Sequence, residues 1–474
     1  MTTSTLAAWE ALPRRDGHPA PIDRRRQYAR RARRSDLLVT LLWASGAAAA
    51  ALFLASGGAM QFTDLASSVT SLGIITGLIG TDFILVMLVL AARLPVIDRT
   101  VGHDRAIAVH RSLGKPALYL LLAHGILLLI GYGLSAGIDP IAEIGAMLAL
   151  PDMPLAFIGL GLLITVVITS LVAVRRKFSY EGWHLVHLLS YVAVAFALPH
   201  QLTVGGVLAE GTAQRVYWIA LYVLAFGSIA TFRFLKPAVA SLRHGITVSS
   251  VTPVAPGVVS IGLRGHGLRA LGAAGGQFVI WRFWTGSTWW HSHPISLSAM
   301  PTATTARITV RDLGSGSQRI SRVPVGTKVS IEGPYGIFSD VSRTAPKMAI
   351  LAAGIGVTPV RALLEHARLV PGEATVLLRA GSDDETYLWD EIRQIAAAKG
   401  APLYVMVGHR ARSGATWMTH DDAARGVTLM SAFPDLAESD VYLCGPSSWL
   451  DAVLADVRAY GVPEHRIHAE RFDW

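Results

Sequence analysis

Two stretches decide how this chain is read: "AVHRSLGKPALYLLLAHG" at residues 108–125 and "HLVHLLSYVAVAFALPH" at residues 184–200. Both are apolar, yet both carry histidines, and an imidazole is costly to bury among apolar groups unless something uses it. In the first stretch His110 and His124 stand 14 residues apart, which on a helix is ~21 Å along the axis and within ~40° of one face. In the second, His187 and His200 stand 13 apart, or ~20 Å. If both helices enter from the same side of a bilayer, His110 pairs in depth with His187, and His124 with His200. His184 would add ~3 Å of mismatch, so it is read as an interfacial bystander, with the inner-ligand role as its alternative.

The surrounding composition supports a membrane setting. The chain has 474 residues, of which 52% are hydrophobic and only 16% charged, against ~25% charged in soluble proteins; its mean hydropathy is +0.43. Six apolar runs, near 37–57, 70–92, 113–135, 154–174, 183–202 and 215–235, each approach the ~20 residues that cross a bilayer as helix. Segment 1–35 holds nine arginines and no apolar run, and is expected to be a disordered cytoplasmic arm with no signal peptide. Arginine and lysine recur in the 93–115 and 175–177 connections and after the sixth run. The alternate connections carry Asp64, Asp139, Glu143, Asp152 and Glu210 instead. The positive-inside rule therefore puts both termini in the cytoplasm. The net charge of +9 is explained by this topology, so no nucleic-acid partner is expected. A single cysteine, Cys444, excludes internal disulfides and a four-cysteine iron–sulfur cluster.

Paired histidines at matched depth suit bis-imidazole ligation of haem, in which each ring gives one nitrogen to iron and donates its other N–H to a partner. A lone membrane histidine is more often a helix–helix hydrogen-bonding group or a proton-relay member; four at two matched depths favour haem. On an ideal helix His187 and His200 point ~140° apart, so Pro199 is expected to introduce a kink or a π-bulge that re-aims His200. His103, in the basic loop, is expected to be solvated.

After residue 245 the pattern changes. "ITVSSVTPVAPGVVSIGLRG" and "ARITVRDLG" alternate as strands of a small antiparallel barrel running to about 340. From Lys347 strands alternate with helices, which implies a parallel doubly wound sheet. "HSHPISLSAMP" (291–301) places Ser296 and His293 where they can meet a ring edge or phosphate, and "LGSGSQRI" (313–320) reads as a small-residue turn. "AGIGVTP" (353–359) joins a strand to a helix, so Gly354 and Gly356 let the backbone approach a pyrophosphate. "LCGP" (443–446) ends another strand, where such sheets bind ligands.

These motifs, in this order, resemble the ferric reductase and NADPH-oxidase superfamily over nearly everything after the arm. The resemblance implies a multidomain membrane protein: a six-helix transmembrane haem-binding bundle (36–236), an FAD-binding antiparallel β-barrel (245–341) and an NAD(P)-binding α/β parallel-sheet domain (342–474), the last two forming a ferredoxin-reductase-like module. By that resemblance His293, Pro294, Ile295 and Ser296 match the flavin motif. Ser317 matches the hydroxyl near the FAD pyrophosphate, although "GSGS" departs from the usual pattern. Gly354, Gly356, Thr358 and Pro359 match the nucleotide loop, and Cys444, Gly445 and Pro446 the nicotinamide side. Glu470 and Trp474 match the terminal residues beside the flavin, Trp474 as a gate over the ring. Arg379 and Arg410, at strand ends, suit a 2′-phosphate.

The implied function is NAD(P)H-dependent transmembrane electron transfer in the cell membrane. Electrons pass from cytoplasmic NADPH (or NADH) through FAD and two stacked haems b to an extracytoplasmic acceptor. Ferric chelate is favoured; the alternative is dioxygen, giving superoxide. Leu128 stands four residues after His124, where animal superoxide producers carry another histidine. A reading from another class is a transporter with an attached reductase lobe, since intramembrane histidines also mark proton paths.

Overall fold

The computed structural model describes residues 24–178, 180–204, 206–286, 288–412 and 416–472. Among these, six helices are long and apolar enough to cross a membrane. The helical half runs α1 (Arg24–Ala55), α2 (Leu65–Ala91), α3 (Pro95–Val101), α4 (His103–Ala136), α5 (Pro140–Leu148), α6 (Met153–Ser170), α7 (Val172–Arg175), α8 (Tyr180–Thr203), α9 (Ala213–Ile229), a π-helical turn (Ala230–Leu235) and α10 (Lys236–His244). Large apolar side chains such as Leu41, Trp43, Ile126, Ile158, Leu185 and Val223 are exposed, as expected of helices whose outer faces meet lipid rather than water.

The helix with the largest buried share is α2, and its glycines explain why. Cβ atoms added at Gly73, Gly77 and Gly80 would come within 2.4–3.0 Å of Leu128, His124 and Leu121 on α4. Small residues spaced in this way let two membrane helices approach closely. The α2–α4 seam thus sets the position of both α4 histidines.

Several expectations for connections are corrected. Residues 24–35, expected within the disordered arm, are helical and continue into the first span. The 93–115 loop contains α3 and the first turns of α4, and the connection after α4 folds as α5, capped by the Asp139 carboxylate accepting from the Ile141 and Ala142 amides. Helix α8 runs unbroken through Pro199, so no π-bulge lies there; the π-helical turn falls after α9.

The second half opens with an antiparallel sheet of β1 (Thr247–Ala255), β2 (Val258–Arg264), β3 (Phe278–Phe283), β4 (His293–Ala299), β5 (Thr305–Arg311) and β6 (Val329–Tyr335), in the order β1-β2-β5-β4-β3-β6. A bridge between Thr247 and Lys328 joins the two edges into a barrel. Inward residues Ile261, Trp281, Phe283, Leu297 and Ile308 fill it. Helix α11 (Ser315–Ser321) occupies the stretch expected to be a simple turn.

A parallel sheet follows, of β7 (Lys347–Ala353), β8 (Ala374–Ala380), β9 (Leu403–Val407), β10 (Ser439–Gly445) and β11 (Ile467–Arg471). Its order, β11-β10-β7-β8-β9, reverses between β7 and β10. Helices α12 (Val357–His366), α13 (Trp389–Ala398), α14 (His420–Ala424), α15 (Leu429–Ala432) and α16 (Ser447–Ala459) connect the strands. Ligands of open α/β sheets bind outside the strand ends at such a reversal, and both glycine motifs, 353–359 and 443–446, lie there.

Candidate functional site

The four membrane histidines fall into two pairs. The His110 and His187 rings stand 6.2 Å apart, centre to centre. His124 and His200 line one cavity of about 320 Å³, walled by α2, α4, α6, α8 and α9. The orientation of each α4 ring is set from behind. His110 Nδ1 lies 3.1 Å from the Met87 carbonyl and His124 Nδ1 lies 2.8 Å from the Gly73 carbonyl. A carbonyl only accepts, so each Nδ1 carries its hydrogen there, and each Nε2 keeps its lone pair for another partner.

The α8 rings are held differently. His187 Nδ1 lies 3.4 Å from Ser170 Oγ on α6, and that hydroxyl also accepts from Trp183 Nε1 at 3.2 Å. The Trp183 ring stacks on His187 at 5.0 Å. His200 Nδ1 is buried, beside the Ala197 backbone of its own helix. Beside it, Gln201 Oε1 accepts from Trp218 Nε1 at 2.7 Å and from the Tyr222 hydroxyl at 3.1 Å. His184 neighbours Trp183, their rings 6.3 Å apart.

In the barrel, β4 carries His293, Pro294, Ile295 and Ser296. Ser296 is buried and sits opposite Phe278 on β3. His293 lies against the α11 loop, since a Cβ on Gly316 would be 3.3 Å from its Cε1. Burial first, then the neighbouring His291 and Arg319, push the His293 pKa down to about 4, so it is neutral at pH 7. Ser317 caps its own helix, accepting from the Leu313 and Gly314 amides at 2.8 and 3.1 Å.

Across the cleft, Gly354 has a left-handed φ of 55°, which favours glycine. A Cβ on Gly356 would lie 2.1 Å from the Cys444 carbonyl oxygen, so only glycine lets this turn touch the end of β10. Thr358 Oγ1 donates to the Ile355 carbonyl at 2.9 Å, and Pro359 is buried in the first turn of α12. Cys444 is fully buried, between Gly356 and the β11 residue opposite it, Glu470. Burial, then Glu470, push its thiol well up. Gly445 packs on Trp449 and Pro446 is the N-cap of α16. The Glu470 carboxylate reaches Gly336, where a Cβ would stand 3.4 Å from Oε1, so the β11 end and the "GPYG" turn (333–336) meet. Trp474 lies outside the described residues.

Arg379, at the end of β8, donates to the Gly408 carbonyl at 2.8 Å and keeps a buried Nε without a partner. Arg410 spends Nε on the Thr416 carbonyl and both Nη atoms on Ser448. An anion at Arg410 has to displace those bonds, whereas Arg379 retains a donor.

Asp98 and Glu332, not singled out in the sequence, join the two halves with Arg93 and Arg233, read there as positive-inside charges, and with His103. His103, expected to be solvated, is half-buried and stacks on Tyr335 at 6.1 Å. The Gly73–Gly77 spacing on α2 was the sequence signal for the seam behind His124.

Residues 76–198 match the family model for the ferric reductase like transmembrane component. The chain is 30% identical over 197 residues to a flavohemoprotein of Vibrio cholerae, covering 40% of this chain and 48% of that protein. It is 27% identical over 203 residues to the ferredoxin reductase component of a 3-ketosteroid-9-alpha-monooxygenase of Rhodococcus rhodochrous, covering 42% and 55%. The chain thus spans about half the length of the curated relatives it matches. Among solved structures, the FAD/NAD-binding domain of a Vibrio cholerae nitric oxide dioxygenase overlays 48% of this chain and 98% of its own, at 23% identity and a TM-score of 0.40. Residues 76–198 are thus similar to a ferric reductase like transmembrane component, and the chain is also similar over part of its length to a flavohemoprotein and to a ferredoxin reductase component.

Proposed function

We propose that the chain moves electrons from NADPH (or NADH) on one side of the cell membrane to a small-molecule acceptor on the other, ferric chelate first and dioxygen second. When bound, FAD supplies the conversion of a hydride into single electrons and two haems b supply one-electron carriers within the bilayer. His110 with His187, and His124 with His200, are the four residues that hold the haems.

The observation that carries this reading is the geometry of the pairs. If haem binds there, His110 and His187 would each supply one ring nitrogen to its iron. The inner pair stands at 6.2 Å. The outer pair lines a cavity whose volume suits a flat apolar ligand. The carbonyls of Met87 and Gly73 orient the α4 rings, which is how histidine ligands are usually supported from behind.

In the reductase module, His293 and Ser296 on β4 and Ser317 on α11 bind FAD, while Gly354, Gly356, Thr358 and Pro359 seat the nucleotide pyrophosphate. Arg379 holds a 2′-phosphate. Cys444, Gly445 and Pro446 line the nicotinamide side. Glu470 would orient the flavin ring. The module packs against the ends of α2 and α9, beside Arg93 and Arg233, so the basic loops and the reductase share one side. The positive-inside rule makes that side, and both termini, cytoplasmic.

Purified membranes test the central claim: a dithionite-reduced b-type band is expected, and its absence leaves the transporter reading. Superoxide detection with and without ferric chelate, on FAD-loaded protein, separates the two acceptors.

A further inference from the structure

Three parts of the helical half converge on strand β6. Arg93, just past α2, and Arg233, in the π-helical turn, each donate to the same oxygen of Glu332 at 2.9 Å. The Tyr335 hydroxyl donates to that oxygen at 3.1 Å, and the Arg93 guanidinium lies 5.7 Å from the Tyr335 ring centre. The Glu332 side chain is only 15% exposed, so two charge-assisted bonds form in a nearly dry junction, where such bonds are strong. At the end of the strand the Gly336 amide donates to Asp98 Oδ2 at 3.3 Å, and Ile337 closes on Gly102. The His103 ring lies over Tyr335 and 6.4 Å from Phe278.

The backbone at Arg93 adds a second observation. Its φ is 59°, a left-handed conformation that disfavours every residue with a Cβ. Glycine relaxes such a position, yet an arginine stands there, aimed at Glu332. Burial, then the nearby Arg233, disfavour the charged form of Arg93, and Glu332 opposes both. Without that carboxylate, two half-buried guanidinium groups face each other unpaired, which is strongly unfavourable.

We propose that β6 is the docking strand of the reductase module and that Glu332 is the keystone of a latch fixing the flavin-side cleft beneath the inner histidine pair. The latch is argued from geometry alone; its consequence for electron flow rests on the proposed function. Ser296 of the flavin motif is the cross-strand neighbour of Phe278, Phe278 touches His103, and His103 opens the helix that carries His110 two turns on. Glu332, Arg93, Arg233 and His103 are thus positioning residues for transfer between the halves.

The test uses full-length protein in lipid nanodiscs with four variants: Glu332→Gln, Arg93→Gly, Glu332→Arg, and the charge swap Glu332→Arg with Arg93→Glu. The first readout is amide exchange over residues 333–338, where the Gly336 amide reports docking whether or not haem is present. In Glu332→Gln and Arg93→Gly that exchange should quicken about tenfold, equivalent to about 1.4 kcal/mol of docking free energy. The second readout is stopped-flow absorbance: flavin reduction by NADPH stays at the wild-type rate while haem reduction falls about tenfold. Arg93→Gly also relaxes the backbone, so thermal stability of the helices is retained and misfolding is separated from undocking. The charge swap should restore both readouts relative to Glu332→Arg alone. Unchanged exchange in Glu332→Gln overturns the latch. Faster exchange with undiminished haem reduction overturns its role in transfer. A protein that shows the exchange effect but contains no haem keeps the latch and rejects the electron-transfer reading instead.

Discussion

If the proposed function holds, replacing Gly77 by alanine should empty one of the two proposed haem sites. A Cβ at Gly77 would stand 2.4 Å from His124 Nδ1, 2.7 Å from Cε1 and 2.9 Å from Cγ, about 1 Å inside the ordinary ~3.5–4 Å contact. The ring cannot withdraw freely, because its Nδ1 is bonded to the Gly73 carbonyl at 2.8 Å, one turn away on the same helix. Either the imidazole turns and loses that bond, or α2 and α4 separate along their seam. Overpacking of this kind costs ~1–3 kcal/mol, and loss of an imidazole-orienting bond lowers metal affinity about 10–100-fold. The outer pair should therefore lose at least about tenfold in haem affinity while the inner pair is untouched. Gly161→Ala is the control, since it stands on the exposed face of α6 and a Cβ there would meet nothing within 4 Å. The assay is haem per protein from the reduced pyridine haemochrome. Two haems are expected in wild type and Gly161→Ala, and one in Gly77→Ala. Two haems with an unaltered reduced spectrum in Gly77→Ala would refute the reasoning.

Gly356→Ala drives a methyl group into the backbone of Cys444 and Gly445, with contacts of 2.1–2.8 Å; backbone cannot yield as a side chain can. NADPH affinity should fall at least about tenfold through overpacking at the strand ends, with haem content unchanged, as read by stopped-flow flavin reduction across NADPH concentrations. Cys444 is the only cysteine and its buried thiol is pushed up in pKa. Native protein at pH 8 should thus alkylate with iodoacetamide at least about 100-fold more slowly than unfolded protein, since the thiolate is the nucleophile; equal rates by mass spectrometry sink the buried placement. His293, held down to about 4, binds its proton less readily folded than unfolded, where histidine titrates near ~6.5. Its contribution to stability is therefore complete above pH ~6.5 and is lost as pH falls towards about 4. Thermal unfolding between pH 7.5 and 4.5 should fall more steeply in wild type than in His293→Gln, and parallel slopes contradict a neutral His293.

Position along a helix is a one-dimensional quantity, so the depths of His110, His124, His187 and His200 were legible from spacing alone. The strand–helix alternation that marks the parallel sheet was legible in the same way. Azimuth was not. Pro199 was read as the device that turns His200 by a kink or a π-bulge, and of these the π-bulge is absent, because α8 is continuous α-helix through it. What orients the α4 rings is a pair of α2 carbonyls, reached only because Gly73, Gly77 and Gly80 let two helices close. The "GSGS" stretch misled for a related reason. Small polar residues suit a turn, but they also cap helices, and Ser317 accepts amides at the start of α11.

The junction shows a deeper limit. Arg93 and Arg233 were counted as positive-inside charges, and that count uses only their distance from an apolar run. Their partner lies 239 residues downstream of Arg93 and 99 downstream of Arg233, in a strand of a different fold class, where no local pattern links them. Yet the two roles are not independent. A charge that keeps a loop on one side of the bilayer is, by the same placement, available to whatever packs on that side. Glu332 turns both arginines from topology markers into a binding surface. Neutralising Arg93 should therefore loosen docking long before it alters topology, because other basic residues of the 93–115 segment (Arg99, Arg105, Arg111 and Lys115) remain to hold the loop inside, whereas among the described residues Arg93 and Arg233 are the guanidinium groups that reach Glu332.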